Sequence, residues 1–211
     1  LGISLSLRTM DLPLSSTWEA QAEAILREAG YDSSRPLVML NPGASFGTSK
    51  LWPANRYARV ADTLIETHKA QIIINAAPNP SEQTLAQTVS QSMQNEPLLN
   101  FARRSNTIGL IKGLLRKCDL LITNDTGARH IGAAMGTGVV TIFGSTDPVW
   151  ARIDYPRERI IRIDIPCSPC QKKICPLPDG HEHLQCLTGV SVESVLAAAE
   201  DLLSDRHGGQ R

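Results

Sequence analysis

The run from Cys118 to His130 concentrates residues able to do chemistry. Leu120 to Thr123 has the length and branching of a buried strand. Asn124, Asp125, Thr126 and Gly127 supply turn chemistry, and a helix reads from Ala128 to Met135. In an open parallel sheet, a strand-to-helix turn at the carboxyl edge is where ligands bind. The N–H groups of the helix's first turn attract anions, and Gly127 lets a ligand approach the main chain. One reading is therefore a nucleotide or sugar-phosphate pocket. The other is that Asp125 or Thr126 simply caps the helix. His130, on the first turns of that helix, either donates to a phosphate oxygen or is structural.

A second loop, Asn41 to Ala54, also follows a strand and precedes a helix. Gly43 and Gly47 permit tight turns, while Ser45, Thr48 and Ser49 offer hydroxyls. Lys50 is a point charge on a flexible stem, suited to a phosphate, unless it is merely solvated. The spacing does not match a P-loop, so ATP hydrolysis is not indicated. In a third loop, Phe143 to Pro148, Gly144, Ser145 and Thr146 either contact a ligand or make the turn that Asp147 and Pro148 suggest.

Cys167, Cys170, Cys175 and Cys186, with His181 and His183 between the last two, begin with a zinc-like Cys-x-x-Cys. A structural metal, reduced thiols and disulfides are all open readings, and a reducing compartment disfavours the last. Cys118 stands apart and reads as a core residue.

Alternating elements must position these loops. Ser16 with Glu19 fits a capping box, and Ala22, Ile25, Leu26 and Ala29 fall on one face of the helix that Gly30 ends. Strands are expected at 37–41, 71–75, 97–101, 120–123, 139–143 and 159–165. Helices are expected after Pro53, over 81–93, around Ile108 to Leu115, and over 192–203. This is an α/β pattern: a doubly wound, Rossmann-like parallel sheet covered on both faces. Residues 16–205 form one domain with an irregular insert at 166–187. Residues 1–15 read as an inter-domain linker and 206–211 as a tail. With leucine at position 1, a fragment lacking its amino-terminal part is expected.

The 211 residues carry 21 basic and 21 acidic side chains and no basic stripe with interleaved aromatics, which argues against a nucleic-acid partner. No apolar run is long enough for a transmembrane segment, and no signal peptide is recognisable.

The motifs Asn41-Pro-Gly-Ala-Ser45, Lys50-x-Trp52-Pro53, Asn124-Asp125-Thr126-Gly127-x-x-His130 and Phe143-Gly-Ser-Thr146 together resemble the ADP-heptose:lipopolysaccharide heptosyltransferases, nearest their heptosyltransferase II branch. The resemblance runs from about Pro36 to Leu203. It implies a GT-B glycosyltransferase, of which this chain is the carboxyl-terminal, donor-binding half. ADP-heptose would be the donor and inner-core lipopolysaccharide the acceptor, with no cofactor required for transfer. The enzyme would be cytoplasmic, peripheral at the inner face of the inner membrane. By resemblance, Lys50 and Asp125 are the catalytic positions, and Ser45 joins Lys50 on the diphosphate. Thr126, Gly127 and His130 line the phosphate side, with Asp125 on heptose hydroxyls, and Gly144 is a further donor-binding position. The general base, an aspartate, belongs to the missing amino-terminal domain. Electrostatics agree with this division, because a carboxylate at Asp125 would repel a diphosphate and leave it to the backbone, Lys50 and His130. Arg129 and Gly138 depart from the pattern, which would place an apolar or small residue and a proline there. A non-catalytic nucleotide-binding module, a related transferase with another donor, and a metal-dependent regulatory domain are the alternatives.

Overall fold

The computed structural model describes residues 10–204, so most of the expected linker and the whole tail lie outside the described residues. Strands and helices alternate as α1 (Ser16–Glu28), β1 (Leu37–Asn41), α2 (Ala54–His68), β2 (Gln71–Ile74), α3 (Pro80–Ser92), β3 (Leu99–Asn100), α4 (Ile108–Lys117), β4 (Leu120–Asn124), α5 (Gly127–Ala134), β5 (Gly138–Ile142), β6 (Glu158–Ile161), α6 (Gln185–Thr188) and α7 (Val192–Ser204). The strands form one parallel sheet in the order β3-β2-β1-β4-β5-β6. Every residue of β1, β2, β4 and β5 is buried, because helices cover both faces. Their near-continuous apolar composition follows from that burial. The order reverses between β1 and β4, which lie side by side. The crevice at such a reversal, outside the carboxyl ends of the strands, is the ligand position of this architecture. The Lys50 and Asp125 loops both open there.

Helix packing explains two glycines. A side chain at Gly109 would collide with the Trp18 ring, and one at Gly113 would come within 2.7 Å of the Trp18 carbonyl, so both let α4 lie close against α1. Several local expectations need correction. Ser15 rather than Ser16 caps α1, its hydroxyl accepting from Trp18 N–H at 3.4 Å. The strand expected at 97–101 shrinks to Leu99–Asn100, because the chain turns into a 3-10 helix over Phe101–Arg103, capped by the Asn100 side chain. The strand expected at 159–165 stops at Ile161 and stays half-exposed at the sheet edge. Gly138 has a reason not to be proline: its N–H donates to the Asp119 carbonyl at 3.1 Å, a bond proline cannot make.

Candidate functional site

Three loops from three neighbouring strands meet on one carboxylate. Lys50, at the end of the 3-10 turn Thr48–Lys50, donates to Asp125 Oδ2 at 2.6 Å and to the Asp125 carbonyl at 3.0 Å. Thr146, from the loop after β5, donates to the same Oδ2 at 2.8 Å. Arg129, in the first turn of α5, places Nη1 3.8 Å from Asp125 Oδ1. The Lys50 ammonium also lies 4.7 Å from the centre of the Phe46 ring. Only about a tenth of either side chain is exposed, 11% for Lys50 and 10% for Asp125, so the pair is not a solvated surface contact.

The capping alternative for Asp125 is not what this arrangement shows. Thr126 is the N-cap residue of α5 and makes no side-chain capping bond, while the Asp125 carboxylate turns to Lys50 and Thr146. Arg129 N–H donates to the Thr126 carbonyl at 3.2 Å, and the N–H groups of Gly127 and Ala128 take no cap from the Thr126 side chain. The separation of roles expected from electrostatics also changes. Lys50 and Asp125 act as one unit, with the carboxylate fixing the ammonium instead of standing apart from it.

Beside this pair lies a cleft of about 350 Å³, lined among others by Asn41, Ser45, Asn75, Glu82, Thr126 and Gly127. Its floor is a relay of amides at the strand ends. Asn75 donates to Asn41 Oδ1 at 2.7 Å, Asn41 donates to the Thr123 and Thr126 hydroxyls at 3.0 and 3.2 Å, and Asn106 donates to Asn75. These bonds fix Thr126 at the mouth of the turn. At the far wall, Glu82 Oε2 accepts from Ala77 N–H at 3.1 Å and packs onto Gly43, where a Cβ would collide with it. Gly127 is different: a Cβ there would meet nothing within 4 Å, so the fold itself does not demand glycine.

The structure thus brings Ser45, Thr126 and Gly127 to the cleft and sets Lys50 and Asp125 beside it. His130 is half-buried on α5 and does not line the cleft. Burial, with Arg129 adding to it, pushes its pKa below the usual imidazole value against the pull of Asp125 and Glu158. At neutral pH it offers an N–H donor, not a cation. Gly144 is buried, close to Leu187 and the Ser49 carbonyl, and is not brought to the cleft.

Thr146, expected either to contact a ligand or to make a turn, instead donates to Asp125. The sequence expectations missed three contributors. Asn75 and Glu82 were not singled out, although both lie at the carboxyl edge after β2. Arg129 was noted only as a departure. It is fully buried, donating to Glu158 Oε1 at 2.5 Å, to Glu158 Oε2 at 3.0 Å and to the Ala151 carbonyl at 2.7 Å, with the Phe143 ring 5.1 Å away. Thr141 adds a hydrogen bond to Glu158 Oε1 at 2.6 Å. An arginine is tolerated where an apolar or small residue was expected because each guanidinium nitrogen has a hydrogen-bond partner.

The insert packs against the loops of the site. Ser49 N–H donates to the Lys173 carbonyl at 3.2 Å and its hydroxyl to the Lys172 carbonyl at 2.5 Å. Gln171 N–H reaches the Ser145 carbonyl at 2.8 Å, and the Ser168 hydroxyl reaches the Gly144 carbonyl at 2.7 Å. Two of the three loops are therefore buttressed by 168–173. All four cysteines of the insert are free thiols in the structure. Among the described residues, no three His, Cys, Asp or Glu side chains stand in a ligating arrangement. Burial pushes the Cys186 thiol up to about 11, with Cys167, Cys170 and Cys175 reinforcing the shift.

No helix among the described residues is long and apolar enough to cross a membrane. Comparison with known proteins agrees with the fold. The profile of Glycosyltransferase family 9 (heptosyltransferase) matches residues 3–181. Lipooligosaccharide heptosyltransferase 2 of Campylobacter jejuni subsp. jejuni is 32% identical over 211 residues, covering 97% of this chain and 61% of the relative. Lipopolysaccharide heptosyltransferase 2 of Salmonella typhimurium is 25% identical over 201 residues, covering 92% of this chain and 56% of the relative. Among solved structures, a family 9 glycosyl transferase from Veillonella parvula superposes with a TM-score of 0.78 at 25% identity, over 95% of this chain and 55% of its own. ADP-heptose lps heptosyltransferase II of E. coli superposes with a TM-score of 0.73 at 22% identity, over 93% and 54%, a likeness of fold. The chain spans about three fifths of the length of the curated relatives it matches. It belongs to glycosyltransferase family 9, the heptosyltransferases.

Proposed function

We propose that this chain is the donor-binding half of a GT-B glycosyltransferase that moves heptose from ADP-heptose to inner-core lipopolysaccharide. The observation that carries the reading is the convergence of three carboxyl-edge loops on the Lys50–Asp125 pair, beside a cleft at the sheet's reversal point. Its 350 Å³ lies in the range of small-molecule sites. The first turn of α5 and Ser45 face the diphosphate. An ammonium has three donors, and Lys50 uses two on Asp125, leaving a third for a phosphate oxygen. Glu82, across the cleft, suits the ribose hydroxyls, the usual task of a carboxylate in a Rossmann-like half. Asp125 Oδ1, which has Arg129 Nη1 at 3.8 Å but accepts no hydrogen bond from Lys50 or Thr146, takes a sugar hydroxyl.

The reaction is a displacement at the anomeric carbon by an acceptor hydroxyl. As the bond to the leaving group breaks, negative charge gathers on the departing ADP. Donors already aimed at that charge lower the barrier without having to reorganise. The base that takes the acceptor's proton is assigned by resemblance to the amino-terminal half, and transfer needs no metal in this scheme. The lipid-anchored acceptor places the whole enzyme at the cytoplasmic face of the inner membrane.

Full-length protein should release ADP from ADP-heptose only when a heptose-accepting inner core is present, and residues 1–211 alone should not. Without the other half the reacting groups are not positioned, a loss of up to about 7–11 kcal/mol. ADP binding by full-length protein that never turns over the donor would favour a non-catalytic module instead. Gly127→Ala supplies a second check. Since the new methyl meets only open space, melting temperature should hold. Overpacking by one methyl costs about 1–3 kcal/mol, so the ADP dissociation constant should rise about tenfold. Unchanged affinity would move the diphosphate away from α5.

A further inference from the structure

The donor site leaves four cysteines without a task, and these four converge. Cys167, Cys170 and Cys175 sit on irregular chain and Cys186 on α6, yet all line one cavity of about 20 Å³, with Ser49 and Ser145 on its inner side. The backbone is bent to bring them there. Gln171, directly after Cys170, and Leu184, two residues before Cys186, both adopt left-handed conformations, with φ of 57° and 53°. Non-glycine residues hold such conformations where the surroundings over-determine them. Leu184 N–H donates to Cys175 Sγ at 3.4 Å, which orients that sulfur. The segment from 166 to 183 contributes no fully buried side chain of its own, so packing alone gives little to hold it.

We propose that Cys167, Cys170, Cys175 and Cys186 form a tetrathiolate site for one thiophilic divalent ion, which fastens the insert behind the donor loops. Four sulfur ligands around one small cavity suit a tetrahedral ion of the zinc or iron class. The thiols line the cavity without yet making a ligating array, so binding draws the sulfurs inward to the roughly 2.3 Å of a metal–thiolate bond. Each thiol gives up its proton on binding. The consequence reaches the site through bonds already described: residues 168–173 carry the carbonyls, N–H and hydroxyl that hold Ser49, Gly144 and Ser145. Loading the insert therefore steadies the loop that presents Lys50.

The test is metal analysis of protein purified under reducing conditions, without a chelator or histidine tag. Roughly one zinc or iron per chain is expected. Cys167→Ser with Cys170→Ser should lose it, and Cys118→Ala, outside the cluster, should keep it. Because the double variant could misfold, a second measurement uses the wild type. Cobalt(II) exchanged into the site should give thiolate charge-transfer absorption and tetrahedral d–d bands, and removing the metal should lower melting temperature and ADP affinity together. Metal content below about a tenth per chain, or a cysteine pair found oxidised in the purified protein, would overturn the proposal. The ADP arm rests on the donor reading, whereas metal content and cobalt spectra do not. A metal-loaded protein that ignores ADP would thus count against the donor site alone.

Discussion

Lys50→Ala is expected to cut heptose transfer by full-length enzyme roughly 10²–10³-fold, the usual cost of one preorganised donor at a developing charge. The loss should fall mainly on kcat, because charge on the leaving diphosphate is largest in the transition state. The variant also strands a carboxylate that is only 10% exposed, so stability must be measured alongside. Thr146 and, at 3.8 Å, Arg129 remain to compensate part of that charge. Adding Asp125→Asn to Lys50→Ala removes the stranded charge and should restore melting temperature without restoring transfer. Wild-type kinetics in a folded Lys50→Ala enzyme would remove Lys50 from the chemistry. Recovery of transfer in the double variant would reduce its role to neutralising Asp125.

The second large effect is on stability. Arg129→Ala should cost about 3–5 kcal/mol, because it leaves Glu158 buried without its bidentate partner. At about 2–4 °C per kcal/mol for a chain of this size, the melting temperature should fall by roughly 6–20 °C. Thr141 can satisfy one Glu158 oxygen but cannot cancel the charge. Replacing both partners with apolar residues, Arg129→Met with Glu158→Leu, should recover most of the loss, as buried ion pairs often break even against packed hydrocarbon. A fall of less than about 1 kcal/mol in Arg129→Ala would show that Glu158 finds water or protonates instead.

The sheet was legible because burial on both faces writes itself as continuous apolar runs such as Leu37 to Leu40 and Leu120 to Ile122, each bounded by turn residues. Short or edge elements were not. β3 is only Leu99–Asn100, and the half-exposed β6 has no run that separates it from the chain after it. Positions of Lys50, Asp125, Thr126 and Gly127 could be read from loop chemistry at the carboxyl edge, but their mutual arrangement could not. Whether Asp125 caps α5 or pairs with Lys50 depends on a contact across 75 positions of sequence. Arg129 and Glu158 were opaque for the same reason: an isolated arginine gives no sign of a partner on β6. The place of the insert was opaque as well, since 168–173 folds back onto loops that precede it by many residues. Glu82 carried a signal that went unused, an acidic residue in the first turn after a central strand of a Rossmann-like sheet.

Calorimetric titration of ADP into the 211-residue chain and into its Lys50→Ala variant tests the donor site most directly. Measurable binding by the wild type is expected, because the chain carries the three loops proposed to hold the diphosphate, with a clear weakening in the variant and its fold intact. Binding that is absent from the folded wild type, or equally strong in both, would contradict the donor reading.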